Sequence, residues 1–119
     1  MNNERAITIC GKDVRLRYCA ATENGFEKLA NKSMAEWDVA SMDDLMKLAM
    51  SAIVAAYERN NEDVPIDGKD ILYDASPAEI TELFKIVVEI RAEWYGVPLV
   101  LDKAIKEEQG DEAEQPKNE

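Results

Sequence analysis

The stretch Met42-Asp43-Asp44-Leu45-Met46-Lys47-Leu48-Ala49-Met50-Ser51-Ala52-Ile53-Val54-Ala55-Ala56-Tyr57-Glu58-Arg59 decides the fold. At about 100° per residue, Leu45, Ala56, Ala49, Met42, Ile53, Met46, Tyr57 and Met50 fall on one arc, which Ala55, Leu48 and Ala52 extend on its other side. Asp43, Lys47, Glu58, Ser51 and Asp44 keep a polar strip, and Val54 interrupts it. A core-facing helix ordinarily carries an apolar stripe of about 100°, and this arc is roughly twice as wide. Such a helix is expected to be central in the fold or covered by a partner. Ser41 is its N-cap, and Asp44 stands at the capping-box position. Asp43 and Asp44 also suit the positive end of the helix dipole. Arg59-Asn60-Asn61 ends the helix.

Downstream, Glu62 to Ala75 contains Pro65 and Asp67-Gly68 and is read as a loop. Within it Ile71-Leu72-Tyr73 forms a short apolar plug or a turn of helix. The last helix has the clearest start signal: Ser76 as N-cap, Pro77 at the first helical position, Glu79 closing the capping box. It runs to Tyr95 and stops at Gly96, with Pro98 beyond. Ile80, Leu83, Phe84, Val87, Val88, Ile90, Trp94 and Tyr95 share one side, while Glu79, Glu82, Lys85, Glu89 and Glu93 share the other. Arg91 breaks into the apolar arc and Ile86 sits at the edge of the polar one. Leu99 to Ile105 is expected to add a short amphipathic turn.

Upstream, Ile7-Thr8-Ile9-Cys10 and Val14-Arg15-Leu16-Arg17-Tyr18 alternate apolar and polar, the period of half-buried strands. Gly11-Lys12 between them fits a type II′ turn, pairing Cys10 with Asp13, Ile9 with Val14, and Ile7 with Leu16. Ile7, Ile9, Val14, Leu16 and Tyr18 then share one face and Arg15 and Arg17 the other. A lone hairpin is marginal, so that face must pack on helices. A short helix over Thr22 to Asn31 follows, with Thr22 as N-cap and Phe26 and Leu29 as its apolar edge. Met34 to Val39 is a connector anchored by Trp37. The fold class predicted is α+β: a mainly helical single domain over residues 1–105, its N-terminal β-hairpin packed on two long helices and one short helix. Residues 106–119 form a disordered acidic C-terminal tail, holding six acidic residues and one Lys between Glu107 and Glu119.

The chain has 119 residues, enough for one domain with one core. Its formal charge of −11 argues against a phosphate-binding surface and favours low self-association. No apolar run approaches the roughly 20 residues that span a bilayer, and no signal region follows Met1, so a cytosolic protein is expected. Cys10 and Cys19 lie too far apart along the hairpin for a disulfide, so two reduced thiols are expected. There is no histidine, no CxxC spacing, no nucleophile elbow and no phosphate-cradling Gly loop. No metal, no cofactor and no catalysis is therefore expected.

What remains as candidate function is binding. Met34, Met42, Met46 and Met50 could line a groove for partner helices, because methionine is flexible and polarizable, or they could fill irregular core gaps. Arg91 could neutralise Asp70 or Asp74, stack on Tyr95, or bind a partner. Ile86 on an acidic face is a further contact candidate. Trp37 and Trp94 read as core anchors rather than contact residues.

The order of elements carries a resemblance. The hairpin from Ile7 to Leu16, the segment Gly25-Phe26-Glu27-Lys28-Leu29-Ala30-Asn31-Lys32-Ser33, the helix start Ser41-Met42-Asp43-Asp44-Leu45 and the last helix ending Trp94-Tyr95-Gly96 resemble the small tail assembly chaperones of long-tailed phages and prophages. The resemblance covers roughly Ile7 to Pro98. It implies a non-enzymatic holdase in the bacterial host cytoplasm. Its partners would be the tape measure protein, a long helical chain with exposed apolar stripes, and tail-tube subunits. It also implies that a longer frameshifted form is common. Neither nucleic acid nor a membrane is implied as a partner, and a homo-oligomer is compatible with it.

Two other readings compete. An acidic inhibitor or DNA mimic of a mobile element needs carboxylates arrayed on the folded surface, whereas much of the excess charge here lies after residue 106. A structural tail-completion or connector subunit would stay in the virion, where an assembly chaperone would not.

Overall fold

The alternating N-terminal sequence builds an antiparallel hairpin, strands β1 (Glu4–Ile9) and β2 (Lys12–Arg17). Among the described residues four helices follow: α1 (Ala20–Ala30), α2 (Met42–Glu58), α3 (Gly68–Asp74) and α4 (Pro77–Tyr95), with a 3-10 turn at Met34–Glu36 between α1 and α2. The structure, a computed structural model, describes residues 3–96. The predicted turn over Leu99 to Ile105 and the acidic tail lie outside the described residues.

The hairpin faces are as expected, but its register is not. Ile9 pairs with Lys12, Ile7 with Val14 and Arg5 with Leu16, so the turn is Cys10-Gly11 instead of Gly11-Lys12. Both turn residues have positive φ, 53° at Cys10 and 75° at Gly11. This is the type I′ geometry that matches strand twist, with glycine at its second central position. The shift between the two registers is two residues. A shift of one would turn every side chain to the other face; a shift of two leaves Ile7, Ile9, Val14, Leu16 and Tyr18 together, and all are buried.

The hairpin tip is tied down by polar contacts. The Cys10 backbone N–H donates to the Glu79 carboxylate at 3.1 Å, and Lys12 Nζ donates to the Pro65 carbonyl at 2.9 Å. Glu79 has a second task. Its other carboxylate oxygen accepts from the Ser76 backbone N–H at 2.9 Å, while Ser76 Oγ accepts from the Glu79 backbone N–H at 3.1 Å. The predicted capping box at α4 therefore also orients the hairpin. α4 ends at Gly96, in the left-handed region at φ 75°, which suits a glycine C-cap.

α1 begins earlier than predicted. Cys19 is its N-cap, and Thr22 stands at the third helical position, where its Oγ accepts from the Cys19 N–H at 3.1 Å. The same hydroxyl donates to the Arg17 carbonyl at 2.6 Å, joining strand end to helix start. Phe26 is fully buried, whereas Leu29 is 54% exposed. The expected loop from Glu62 to Ala75 contains α3. Asp67 caps it by accepting from the Asp70 N–H at 2.9 Å, and Asp70 answers at 3.3 Å. Ile71 plugs the core completely while Leu72 and Tyr73 face outward.

α2 is the centre of the packing, flanked by α1, β2 and α4. The strip read as its polar face is only partly a surface, because Asp44 and Ser51 are buried. Ser41 Oγ accepts from the Asp44 N–H at 3.1 Å, yet Asp44 does not complete the expected box. Its carboxylate instead accepts from the Asp38 backbone N–H at 2.8 Å and pairs with Lys32 at 2.9 Å. Ile86 is buried as well. α4 packs on both α2 and β1, so a side chain at the edge of its wheel is covered from a second direction.

Candidate functional site

α2 presents one edge that the described elements cover only in part. Met42, Met46, Met50 and Val54 recur every four residues along this edge, so they form a ridge inclined to the helix axis. They line a groove of about 590 Å³ walled by Leu29 of α1 on one side and by Gly68 and Leu72 of α3 on the other. Met42 is 59% exposed and Leu72 62%, so the groove opens to solvent. Met46 is buried and forms the floor, and Met50 is half-buried. At the Val54 end the groove meets a second hollow of about 300 Å³, lined by Val64, Pro65, Ile66, Asp67 and Asp70 together with Met50 and Val54.

The packing of α1 and α3 on α2 shapes this opening. Gly25 of α1 faces Ser51 of α2: a Cβ at Gly25 would stand 3.0 Å from Ser51 Oγ and 3.3 Å from Ser51 Cβ. Leu29 lies one helical turn beyond Gly25 and lines the groove. The close approach at Gly25 thus sets how near the Leu29 wall comes to the methionine row. On the α3 side, the Asp67–Asp70 cap and buried Ile71 hold Leu72 in position. The polar groups at the rim are few. Asp43 and Lys47 pair with each other at 2.8 Å, leaving the groove walls to hydrocarbon and thioether groups.

The sequence candidates divide between this groove and the interior. Met42, Met46 and Met50 come together in it. Met34 does not: it is buried under the 3-10 turn, among the core side chains. Ile86 is inside the α4 packing and is removed from the contact surface. Arg91 pairs with neither Asp70 nor Asp74. Its guanidinium lies over the Trp37 ring at 4.6 Å and over the Tyr95 ring at 4.9 Å, a cation–π sandwich at the far end of α4. Beside it, the Tyr18 and Tyr95 hydroxyls both donate to the Glu23 carboxylate, Tyr18 at 2.7 Å. Trp94 meets the Tyr18 ring at a tilt, with centroids 5.6 Å apart, and the Tyr95 ring edge-on at 5.0 Å. Burial, then the bond to Glu23, pushes the Tyr18 hydroxyl far above its ordinary pKa. This cluster fastens α4 to α1 and β2.

Leu29, Leu72 and Val54 were missed as groove residues. Leu72 sits in a segment that reads as a loop, and Leu29 reads as a core edge. A signal for α3 existed: Asp67 and Asp70 stand at capping-box spacing just before an apolar run, with aspartate in place of the usual Ser/Thr and Glu.

Cys10 and Cys19 are free thiols. Burial, followed by Glu79, Asp74 and Asp70, pushes the Cys10 thiol up, the opposite of an activated nucleophile. Asp44 is held below the usual carboxylate range by Lys32 and the Asp38 N–H, against the upward pull of burial. Among the described residues there is no group of three or more His, Cys, Asp or Glu that could hold a metal ion, and no helix long and apolar enough to cross a membrane. Comparison with family models, with curated proteins and with solved structures gives no match to this chain.

Proposed function

We propose that this protein is a tail assembly chaperone of a long-tailed phage or prophage, and that it holds the helical tape measure protein while the tail tube assembles. The observation that carries the reading is the groove along α2, with Met42, Met46, Met50 and Val54 on its floor and Leu29 and Leu72 as walls. A groove of this chemistry accepts an amphipathic helix through anchors spaced three to four residues apart. Methionine lets it re-pack around different anchors along a long chain. A tape measure awaiting its tube exposes such stripes and is prone to aggregate. The net charge of −11 would keep the complex dispersed.

Co-expression with a tape measure fragment tests this reading. The protein should keep the fragment in the soluble fraction, and Met42→Glu or Met50→Glu should weaken that rescue. Met42 is mostly exposed and stands at the start of α2, where a carboxylate suits the helix dipole, so Met42→Glu leaves folding intact. Undiminished rescue by both variants would remove the groove from the account.

A further inference from the structure

We infer that the helix held in the α2 groove carries a lysine or arginine one turn beyond its apolar anchors, and that the hollow at the Val54 end receives this side chain. This rests on the reading of the groove as a helix-binding surface. It adds the chemistry by which one amphipathic helix is preferred over another.

The two cavities share Met50 and Val54, so a helix lying along the groove passes directly onto the hollow. From Met42 to Val54 α2 rises about 18 Å, room for about three anchors at one per turn. The next residue on the same stripe then falls at the hollow. The linings differ in charge. Asp43 and Lys47 line the groove and pair with each other at 2.8 Å, so the groove offers no net charge. The hollow has an apolar floor, with Ile66 buried and Met50, Val54 and Val64 half-buried. Exposed Asp67 and half-buried Asp70 complete its lining.

These two carboxylates have capacity to spare. Asp67 uses one oxygen to accept from the Asp70 N–H, and Asp70 uses one to accept from the Asp67 N–H. An ionised carboxylate has about four acceptor sites. Neither forms an ion pair among the described residues, whereas Asp43 and Asp44 both do. Lys12 reaches the same loop, but its Nζ donates to the Pro65 carbonyl at 2.9 Å. One cation against two carboxylates leaves the hollow negative.

That lining selects its occupant. A side chain of hydrocarbon alone would strip water from the carboxylates without replacing it, at a cost in affinity. An acidic side chain would be repelled. Lysine and arginine lay a hydrocarbon stem on an apolar floor and keep the charged head at the surface, which matches a floor of Met50, Val54, Val64 and Ile66 beside Asp67 and Asp70.

The chain's charge of −11 draws any cationic peptide, so the test holds peptide charge fixed. The probe is a helical peptide with three leucine anchors four residues apart and a lysine one turn beyond them at each end. Lysines at both ends make the direction of the bound helix immaterial. Its isomer carries the same two lysines on the opposite face. Fluorescence anisotropy reads binding to the full chain and to its Asp67→Asn/Asp70→Asn variant, in which asparagine caps α3 as well as aspartate does. The probe should bind the wild type about fivefold more tightly than its isomer, as exposed ion pairs allow, and the variant should bind the two alike. Both peptides should shift the Met42 and Met50 methyl resonances and leave that of buried Met34 in place. Equal affinity of the two peptides for the wild type, or an advantage that survives in the variant, overturns the inference and leaves the groove reading standing. Binding of neither peptide, or binding that leaves Met42 and Met50 unmoved, overturns the groove reading and the inference with it. Affinity that falls as the protein concentration rises assigns the groove to a second copy and overturns the inference as well.

Discussion

Replacing Ser51 by Ala should stabilise this protein, against the usual direction for a substitution in a buried position. Ser51 is 5% exposed, and its hydroxyl is buried with no hydrogen-bond partner. An orphaned buried hydroxyl costs about 1–3 kcal/mol, and alanine gains roughly 0.5 kcal/mol of helix propensity. Allowing for the small void left by the oxygen, the net gain is about 1–2 kcal/mol. In a domain of this size that is about 4–8 °C in Tm. The same site explains why Gly25 is glycine. Gly25→Ala gains up to about 1 kcal/mol of propensity, but the new Cβ would stand 3.0 Å from Ser51 Oγ, and overpacking of that kind costs about 1–3 kcal/mol. Alone, Gly25→Ala should lose about 1 kcal/mol. In the Ser51→Ala background the tightest contact is gone, and the loss should shrink toward zero. Urea unfolding followed by circular dichroism measures all four proteins, with equal m-values required for comparison. A lower midpoint for Ser51→Ala, or the same cost for Gly25→Ala in both backgrounds, would refute the reasoning that this contact limits the approach of α1 to α2.

Further expectations follow from the hairpin and from the buried carboxylate. Cys10 holds a left-handed conformation at φ 53°, which asparagine tolerates better than other L-residues. Cys10→Asn should therefore raise stability by about 0.5–1 kcal/mol in thermal melts, and a fall would contradict the type I′ turn. Asp44 is held below its ordinary pKa by Lys32 and the Asp38 N–H, so its contribution is full above the ordinary carboxylate pKa and fades as pH falls through the depressed value. Asp44→Asn should be less stable than wild type at pH about 7, and urea midpoints should converge as the pH drops below the carboxylate range; a constant gap would refute the pairing. Ser76→Ala should cost about 1 kcal/mol of stability in the same urea assay, because it removes the Oγ acceptor at the start of α4.

Much of the fold was legible because its signals are local. The Ser76-Pro77-Glu79 start and Gly96 stop bound α4 as read, and Ser41 starts α2. The strand faces survived a wrong register because the error was an even number of residues. The turn itself was misplaced because a cysteine at positive φ runs against its intrinsic preference, and the contact of its N–H with Glu79 is long-range. α3 was hidden by its length of seven residues, by the proline three residues before it and by the glycine that opens it. The candidate site was half legible. A methionine row at helical spacing marks one face of α2, but the period cannot tell a covered face from an open one. Met46 and Met42 differ in exposure because of where α1 and α3 lie, not because of anything in their own sequence neighbourhood. Ile86 shows the converse: an apolar residue at the edge of a charged face is buried because β1 and α2 both reach α4.

The central claim is that the open edge of α2 receives an apolar helix. A photo-crosslinking residue at position 42, with a control at the exposed Glu82 position on α4, tests it most directly. With an amphipathic helical tape measure fragment present, position 42 should form a crosslink to the fragment and position 82 should not. Crosslinking of equal yield at both positions, or none at position 42 while the fragment is still kept in solution, would contradict the account.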